Sequence, residues 1–394
     1  MTATRTKRIL SIQPVAERGG SDRALVRLVR SLAQDGWDCH IAAPSWPPTY
    51  ADLHAAGATI HLVPMPRITS GGSLGYWAAY LAAWPLAVLR LVRLGRRLNV
   101  TVVHSNSLHS WYGWAAAAVL RRPHVWHARE IVVQSAAALR LEQFLARHFA
   151  TTVIAVSQAV AAQLPGAPVV VEYDEPDPSE FFPGKGGRFR RPAGIPDHVP
   201  LVGTVGRVDT WKGIDTLLDA VGHLQAGRPD VQVVIAGGTV AGKEEFARGL
   251  EKRAAALSGV HWLGERADAS EVIADLDVLV LASTEPEPFG LAVVEALASG
   301  VPVVATAAGG PLEILGAAPA GAGRLVAPRQ PEALAAAVLE LLPPGPSSAA
   351  RRQARPVLRT PGAAGGLAAV FDRLLSEPQR RGRGPRSRRR SGAS

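Results

Sequence analysis

Two glutamates separated by seven residues stand in the run Glu285-Pro286-Glu287-Pro288-Phe289-Gly290-Leu291-Ala292-Val293-Val294-Glu295. The apolar stretch Val278–Ala282 predicts a strand and Leu291–Ser299 a helix, so the chain turns from one into the other near Gly290. A helix start presents unpaired backbone N–H groups and partial positive charge, which suits a phosphate or a sugar hydroxyl. Gly290 carries no side chain to hold a ligand away from the backbone. Glu287 in the loop and Glu295 early in the helix are placed to face one cleft. Ionised carboxylates accept strong hydrogen bonds, and two of them can grip the vicinal hydroxyls of a sugar. An isolated acid there would merely favour the helix dipole; the whole run points to a ligand.

A second group follows the predicted strand Leu201–Gly206: Gly206-Arg207-Val208-Asp209-Thr210-Trp211-Lys212-Gly213. A guanidinium and an ammonium on one loop can neutralise a diphosphate. As plain surface cations at a helix start they would be mildly unfavourable. The pair Gly19-Gly20, in Glu17-Arg18-Gly19-Gly20-Ser21-Asp22, precedes the first predicted helix and suits a phosphate contact. It is not the spaced-glycine dinucleotide fingerprint. In Trp126-His127-Ala128-Arg129-Glu130, His127 closes a predicted strand, a position open to a role in a cleft or to packing. Asp275-Leu276-Asp277 leads straight into an apolar strand and reads as a helix-to-strand junction, so no metal site is expected.

Positioning these groups requires strand ends and helix starts, and the sequence supplies them in alternation, as in parallel sheets covered by helices. Strands are predicted at Arg8–Val15, Trp37–Ala43, Thr59–Pro64, Val100–His104, His124–His127, Thr152–Val156 and Pro168–Tyr173. After the Pro-rich segment Asp174–Pro200 they resume at Leu201–Gly206, Val231–Gly237, Val260–Leu263, Val278–Ala282 and Pro302–Ala305. Helices are predicted at Asp22–Gln34, Ile214–Gln225, Lys243–Leu257, Leu291–Ser299, Pro331–Leu341 and Leu367–Leu375. The expected fold is α/β: a Rossmann-like domain over 1–178, a second over 179–375, and a disordered tail over 376–394. Ligands belong at the carboxyl ends of the strands, in the cleft between the domains.

Composition agrees with this. The 394 residues suffice for two cores, and 47% hydrophobic content with 39 glycines suits a soluble α/β protein. The single cysteine, Cys39, excludes an internal disulfide and a cysteine-based zinc cluster, and fits a reducing compartment. The basic start Met1–Arg8 runs into a strand without the apolar core of a signal peptide, so a cytoplasmic location is expected. Of the net charge of +10, six come from the tail, where seven arginines face only Glu377. Its Arg, Gly, Ser and Pro cannot build a core, and no specific nucleic-acid partner is expected. The stretch Leu74–Leu94 is apolar and then picks up Arg90, Arg93, Arg96 and Arg97. It predicts a buried amphipathic helix or a peripheral contact with an anionic inner membrane.

Taken together, these motifs resemble the retaining glycosyltransferases of the GT-B fold, glycosyltransferase family 4, from Arg8 to about Leu341 and most strongly from Gly203 to Glu313. The resemblance implies metal-independent transfer of a sugar, with retention, from a nucleotide diphosphate to an acceptor. The acceptor would be a glycan or lipid-linked cell-envelope precursor, with no cofactor beyond the donor. It implies that Glu295 holds the ribose beside Phe289, Gly290 and Leu291, and that Glu287 meets the transferred sugar. Arg207 and Lys212 would take the diphosphate together with Gly19 and Gly20, and His127 would lie near the reacting carbon. The chain departs from the family where Tyr173-Asp174-Glu175 stands for the usual Tyr-Asn-Gly, and in the Pro- and Arg-rich stretch 343–366. Two rival readings stand beside it: a nucleotide-sugar epimerase of similar fold using a related cleft without an acceptor, and a non-catalytic polyanion-binding protein using the Arg-rich tail on a sugar-nucleotide fold.

Overall fold

The protein is described here from a computed structural model covering residues 7–15, 19–67, 73–185, 188–345 and 366–376. The Arg-rich tail beyond Ser376, the stretch 346–365 and Glu17-Arg18 lie outside these residues.

Seven parallel strands build the first sheet: β1 (Arg8–Ile12), β2 (Asp38–Ala43), β3 (Ala58–Leu62), β4 (Val102–Ser105), β5 (His124–Ala128), β6 (Thr152–Ala155) and β7 (Val169–Val171). Six build the second: β8 (Leu201–Val205), β9 (Gln232–Ala236), β10 (Val260–Gly264), β11 (Val278–Leu281), β12 (Val303–Thr306) and β13 (Gly323–Val326). The first sheet runs 3-2-1-4-5-6-7, and the second repeats the pattern as 10-9-8-11-12-13. Strand order reverses beside β1 and beside β8, so a crevice opens at the carboxyl ends of both sheets. Helices cover both faces, so the central strands β1, β4, β11 and β12 are almost wholly buried; β11 is apolar throughout, while β1 carries Ser11 and β4 carries His104 and Ser105 within the sheet.

Strands missed by pattern are short or marginal. Gly323–Val326 is an edge strand with two exposed residues, Arg324 and Leu325, and an inward glycine, and so lacks an apolar run. The helix Gly113–Leu120 is apolar all round, which erases the amphipathic signal. Leu74–Leu98 is one helix, capped by Ser73, with Tyr80, Ala87, Val88, Leu91, Val92, Leu94 and Gly95 buried against the first sheet. It is long and apolar enough to cross a membrane, but its inner face serves a protein core.

The Pro-rich segment is packed rather than loose. Phe181, Phe189 and Ile195 are buried in a core that spans both sheets. Arg190, 2% exposed, donates to Asp277 at 2.8 Å and to the carbonyls of Asp275 and Val199, and the Phe189 and Arg190 amides donate to the Asp275 carboxylate. Within Asp-Leu-Asp the Asp277 carboxylate is thereby taken by a buried guanidinium and the Asp275 carboxylate by backbone amides. The final helix, Gly366–Ser376, follows the second domain in sequence but returns to the first. Phe371 is fully buried, edge-on to Trp37, while Asp372 accepts from the Trp37 indole and pairs with Lys7. Chain order and spatial grouping therefore part at this end of the protein.

Candidate active site

The cleft between the sheets encloses about 800 Å³ and is lined from both domains. On the second domain, β11 passes through Ser283–Phe289 to Gly290, which caps the helix Leu291–Ala298 at φ +95°, a left-handed backbone that glycine adopts without strain. Glu287 is held on both carboxylate oxygens. Lys212 Nζ donates to them at 2.9 and 2.8 Å, and Ser283 Oγ donates at 2.9 Å. Lys212 also sits 4.1 Å over the Trp211 ring, a cation–π contact that fixes its direction. Gly213 has φ +66°, and a Cβ there would come within 1.8 Å of the Ala282 carbonyl oxygen. Only glycine lets the Arg207–Lys212 loop settle on the end of β11. Arg207, Lys212, Phe289, Gly290 and Leu291 all line the cleft, and Gly19 and Gly20 face them from the first domain. Gly20 packs toward Leu291 and Gly19 toward Arg207, so the two walls meet at this point.

Glu295 lies deeper and is 0% exposed. Its Oε2 accepts from Arg23 Nη2 of the first domain at 3.4 Å, and its Oε1 has no hydrogen-bond partner. Burial drives its pKa up; Arg23 and Arg27 oppose this, while Glu180 and Asp174 add to it. A buried carboxylate oxygen without a donor is a costly arrangement that a ligand hydroxyl would relieve.

The first-domain wall departs from expectation at His127. That residue is wholly buried, pairs in register with Ile154 of β6, and does not line the cleft. Side chains two apart on a strand share a face, so Arg129, one step beyond the sheet's rim, covers it: Arg129 Nη2 donates to His127 Nδ1 at 3.4 Å. Burial, then the Arg129 charge, then His104 hold His127 well below the usual imidazole pKa. It lies as a neutral support beneath Arg129, set back from the cleft wall on which it was expected. Arg129 in turn donates to Asn106 and to Asp174 at 2.6 Å in a buried ion pair. Asp174 thus has its own cation.

The histidine that does reach the cleft is His109, on the loop after β4. Its Nδ1 lies 2.6 Å from Glu142 Oε1, and Glu142, fully buried, also accepts from the Trp111 indole at 3.2 Å. Burial works against the imidazolium, but the Glu142 hydrogen bond and the Glu130 and Glu142 charges prevail and push its pKa up to about 9. Nothing in the spelling Asn106-Ser107-Leu108-His109 announces this, because Glu142 lies on a distant helix.

Further contacts join the walls. Ser157 Oγ donates to the Pro288 carbonyl at 2.6 Å. Glu313 accepts from the Gln158 and Ala159 amides at 2.8 Å and from the Tyr173 hydroxyl at 3.0 Å. Second-domain acid and first-domain helix start complement one another as charge and dipole.

Two family matches cover these domains: residues 187–355 match Glycosyl transferases group 1, and residues 18–169 match Glycosyltransferase Family 4. The D-inositol 3-phosphate glycosyltransferase of Stackebrandtia nassauensis is 30% identical over 328 residues, 75% of this chain and 72% of that protein. The GDP-mannose-dependent alpha-mannosyltransferase of Mycobacterium tuberculosis is 29% identical over 75% of this chain and 77% of its own length. Among solved structures, Anabaena HepE in complex with UDP and glucose superposes with a TM-score of 0.71 at 26% identity, covering 85% of this chain and 89% of HepE.

The His109–Glu142 pair gives a pH test. Its folded pKa is raised, so the stability it contributes is complete below the ordinary histidine pKa and is lost as pH rises through about 9. NMR of the imidazole protons is expected to show His109 still protonated at pH 7.5, with a midpoint near 9, and Glu142→Gln to lower that midpoint. A midpoint near 6.5 in the unaltered protein would contradict the pairing.

Proposed function

The chain belongs to glycosyltransferase family 4, the group 1 glycosyl transferases, and is a nucleotide-sugar-dependent glycosyltransferase; from that premise we propose a retaining, metal-independent transfer in the cleft. The bond from the anomeric carbon to the diphosphate oxygen breaks. The bond to the acceptor hydroxyl oxygen forms on the same face, and the acceptor proton passes to the departing phosphate oxygen. The observation that carries the reading is the buried Glu295 carboxylate, on the second turn of the helix that Gly290 caps, whose Oε1 lacks a donor. The paired hydroxyls of a ribose complete such a group. Glu287, locked by Lys212 and Ser283, then faces the transferred sugar. Arg207, Lys212 and the Gly290 helix start receive the diphosphate charge, with Gly19-Gly20 closing from the other wall. Preorganised positive groups of this kind stabilise leaving-group charge without reorganising during the reaction.

The acceptor side of the cleft is lined by His109, paired with Glu142, and by Arg129, paired with Asp174, a polar wall that favours a hydroxyl-rich acceptor. A lipid-linked cell-envelope precursor at the cytoplasmic face of an anionic membrane meets that description. The outer face of Leu74–Leu98 supports it: Leu74, Leu81, Leu86 and Leu89 are exposed there, followed by exposed Arg90, Arg93, Arg96 and Arg97. Apolar side chains entering the interface and arginines meeting anionic headgroups would hold the protein peripherally.

Calorimetry with UDP and GDP tests the donor site. Glu295→Ala is expected to lose most affinity for the nucleotide diphosphate, whereas Glu287→Gln keeps it and slows transfer. Equal loss in both variants would sink this division of labour. In a second experiment, the protein is expected to cosediment with anionic liposomes at low salt and to be released by salt; no binding at low salt would remove the membrane from the account.

A further inference from the structure

Three arginines on the first helix, Gly20–Gln34, are not accounted for by the donor and acceptor contacts above. Arg23, Arg27 and Arg30 recur at spacings of four and three residues, which aligns them on one stripe, and all three line the cleft. Their surroundings differ. Arg30 pairs with Asp177 in the segment after β7. Arg23 crosses to the second domain and reaches Glu295 Oε2 at 3.4 Å. Arg27 lies behind Arg23 with its Nη2 buried and without a hydrogen-bond partner, in the field of Glu295 and Asp174.

The other charged groups bearing on Glu295 are acids, Glu180 and Asp174, and its own helix surrounds it with Val293, Val294, Ala296 and Leu297, all buried. Such a setting favours the neutral acid. A neutral carboxyl can no longer accept from two ribose hydroxyls with equal strength, because one of its oxygens has become a donor.

We propose that Arg23 and Arg27 are positioning residues for the donor: Arg23 through its contact across the cleft, and Arg27 through its buried, unpartnered guanidinium nitrogen, favour the carboxylate form of Glu295, so that nucleotide binding by the second domain depends on the first helix of the first. The proposal rests on Glu295 as the ribose partner. The long Arg23 contact engages only Oε2 and leaves Oε1 for the nucleotide. Opening the cleft withdraws both guanidinium groups from Glu295, and closing it restores them. Donor affinity and domain closure are thereby linked through one buried charge, and each favours the other.

The test is calorimetric titration of UDP, and separately GDP, into the full chain from pH 5.5 to 9. The proteins compared are the unaltered chain, Arg23→Lys, the double variant Arg23→Ala/Arg27→Ala, and Glu295→Gln, each checked for folding by thermal unfolding. The phosphate's own titration is common to all four. The unaltered chain and Arg23→Lys are expected to share one profile. The double variant is expected to bind roughly tenfold or more weakly at pH 6 and to recover toward the unaltered affinity in alkaline solution. Glu295→Gln is expected to bind weakly throughout, without recovery. A double-variant profile of the same shape as the unaltered one, offset or not, overturns the inference. Undiminished binding by Glu295→Gln would instead overturn the ribose reading beneath it. Should the double variant fail to fold, Arg23→Gln with Arg27 intact is expected to show the same displacement on a smaller scale, and an unshifted profile there is equally decisive against it.

Discussion

A nucleoside diphosphate that departs from a sugar gathers negative charge at a point shielded from bulk water. Positive groups must already be fixed there, because mobile ones would have to reorganise as the bond breaks. In this protein the same cleft also holds two buried carboxylates, Glu287 and Glu295, whose charge calls for cations of its own. A cation placed there can serve a carboxylate as well as a phosphate. Lys212 illustrates the balance. It is bonded to both oxygens of Glu287 and braced on Trp211, so one ammonium fixes that carboxylate at the wall of the cleft.

The fold is arranged to deliver these charges. Two parallel sheets with the same strand order bring their carboxyl ends together, and each functional loop leaves a buried strand there. Close backbone approach at Gly213 presses the Arg207–Lys212 loop onto β11, and the Glu287 loop is tied to the opposite domain through Ser157. Polar contacts join the domains at several points, Ser157 to Pro288, Glu313 to the Gln158–Ala162 helix start and Arg23 to Glu295, beside the apolar core that spans both sheets.

Much of this was legible in the sequence because it is local. The alternation of apolar strands and amphipathic helices specifies doubly wound sheets, and the run from Glu285 to Glu295 carries its own turn and helix start. Glu287 and Lys212 were each recognisable as site residues, yet their direct bond joins positions 75 apart and no local pattern encodes it. His127 shows the limit more sharply. A strand end reads alike whether a side chain is the last inside the sheet or the first outside it, and the two-residue step to Arg129 decides which one meets the cleft. His109 acquires its charge from Glu142 on another helix, and Arg23 its meaning from Glu295 in another domain. The arginine spacing on the first helix was visible, but only a three-dimensional neighbour distinguishes it from a solvated helix face. The return of the last helix to the first sheet was hidden for the same reason, since Phe371 finds Trp37 across most of the chain's length.

The central claim is that fixed protein cations, and not a divalent metal, carry the charge of the leaving diphosphate. Steady-state transfer by the exhaustively EDTA-treated chain, alongside Arg207→Ala and Lys212→Ala with folding verified by circular dichroism, tests it most directly. The account predicts undiminished activity after EDTA, and a loss of about a hundred- to a thousandfold in kcat for each alanine variant. Complete inactivation by EDTA, reversed by magnesium or manganese, would place that charge on a metal and contradict the account.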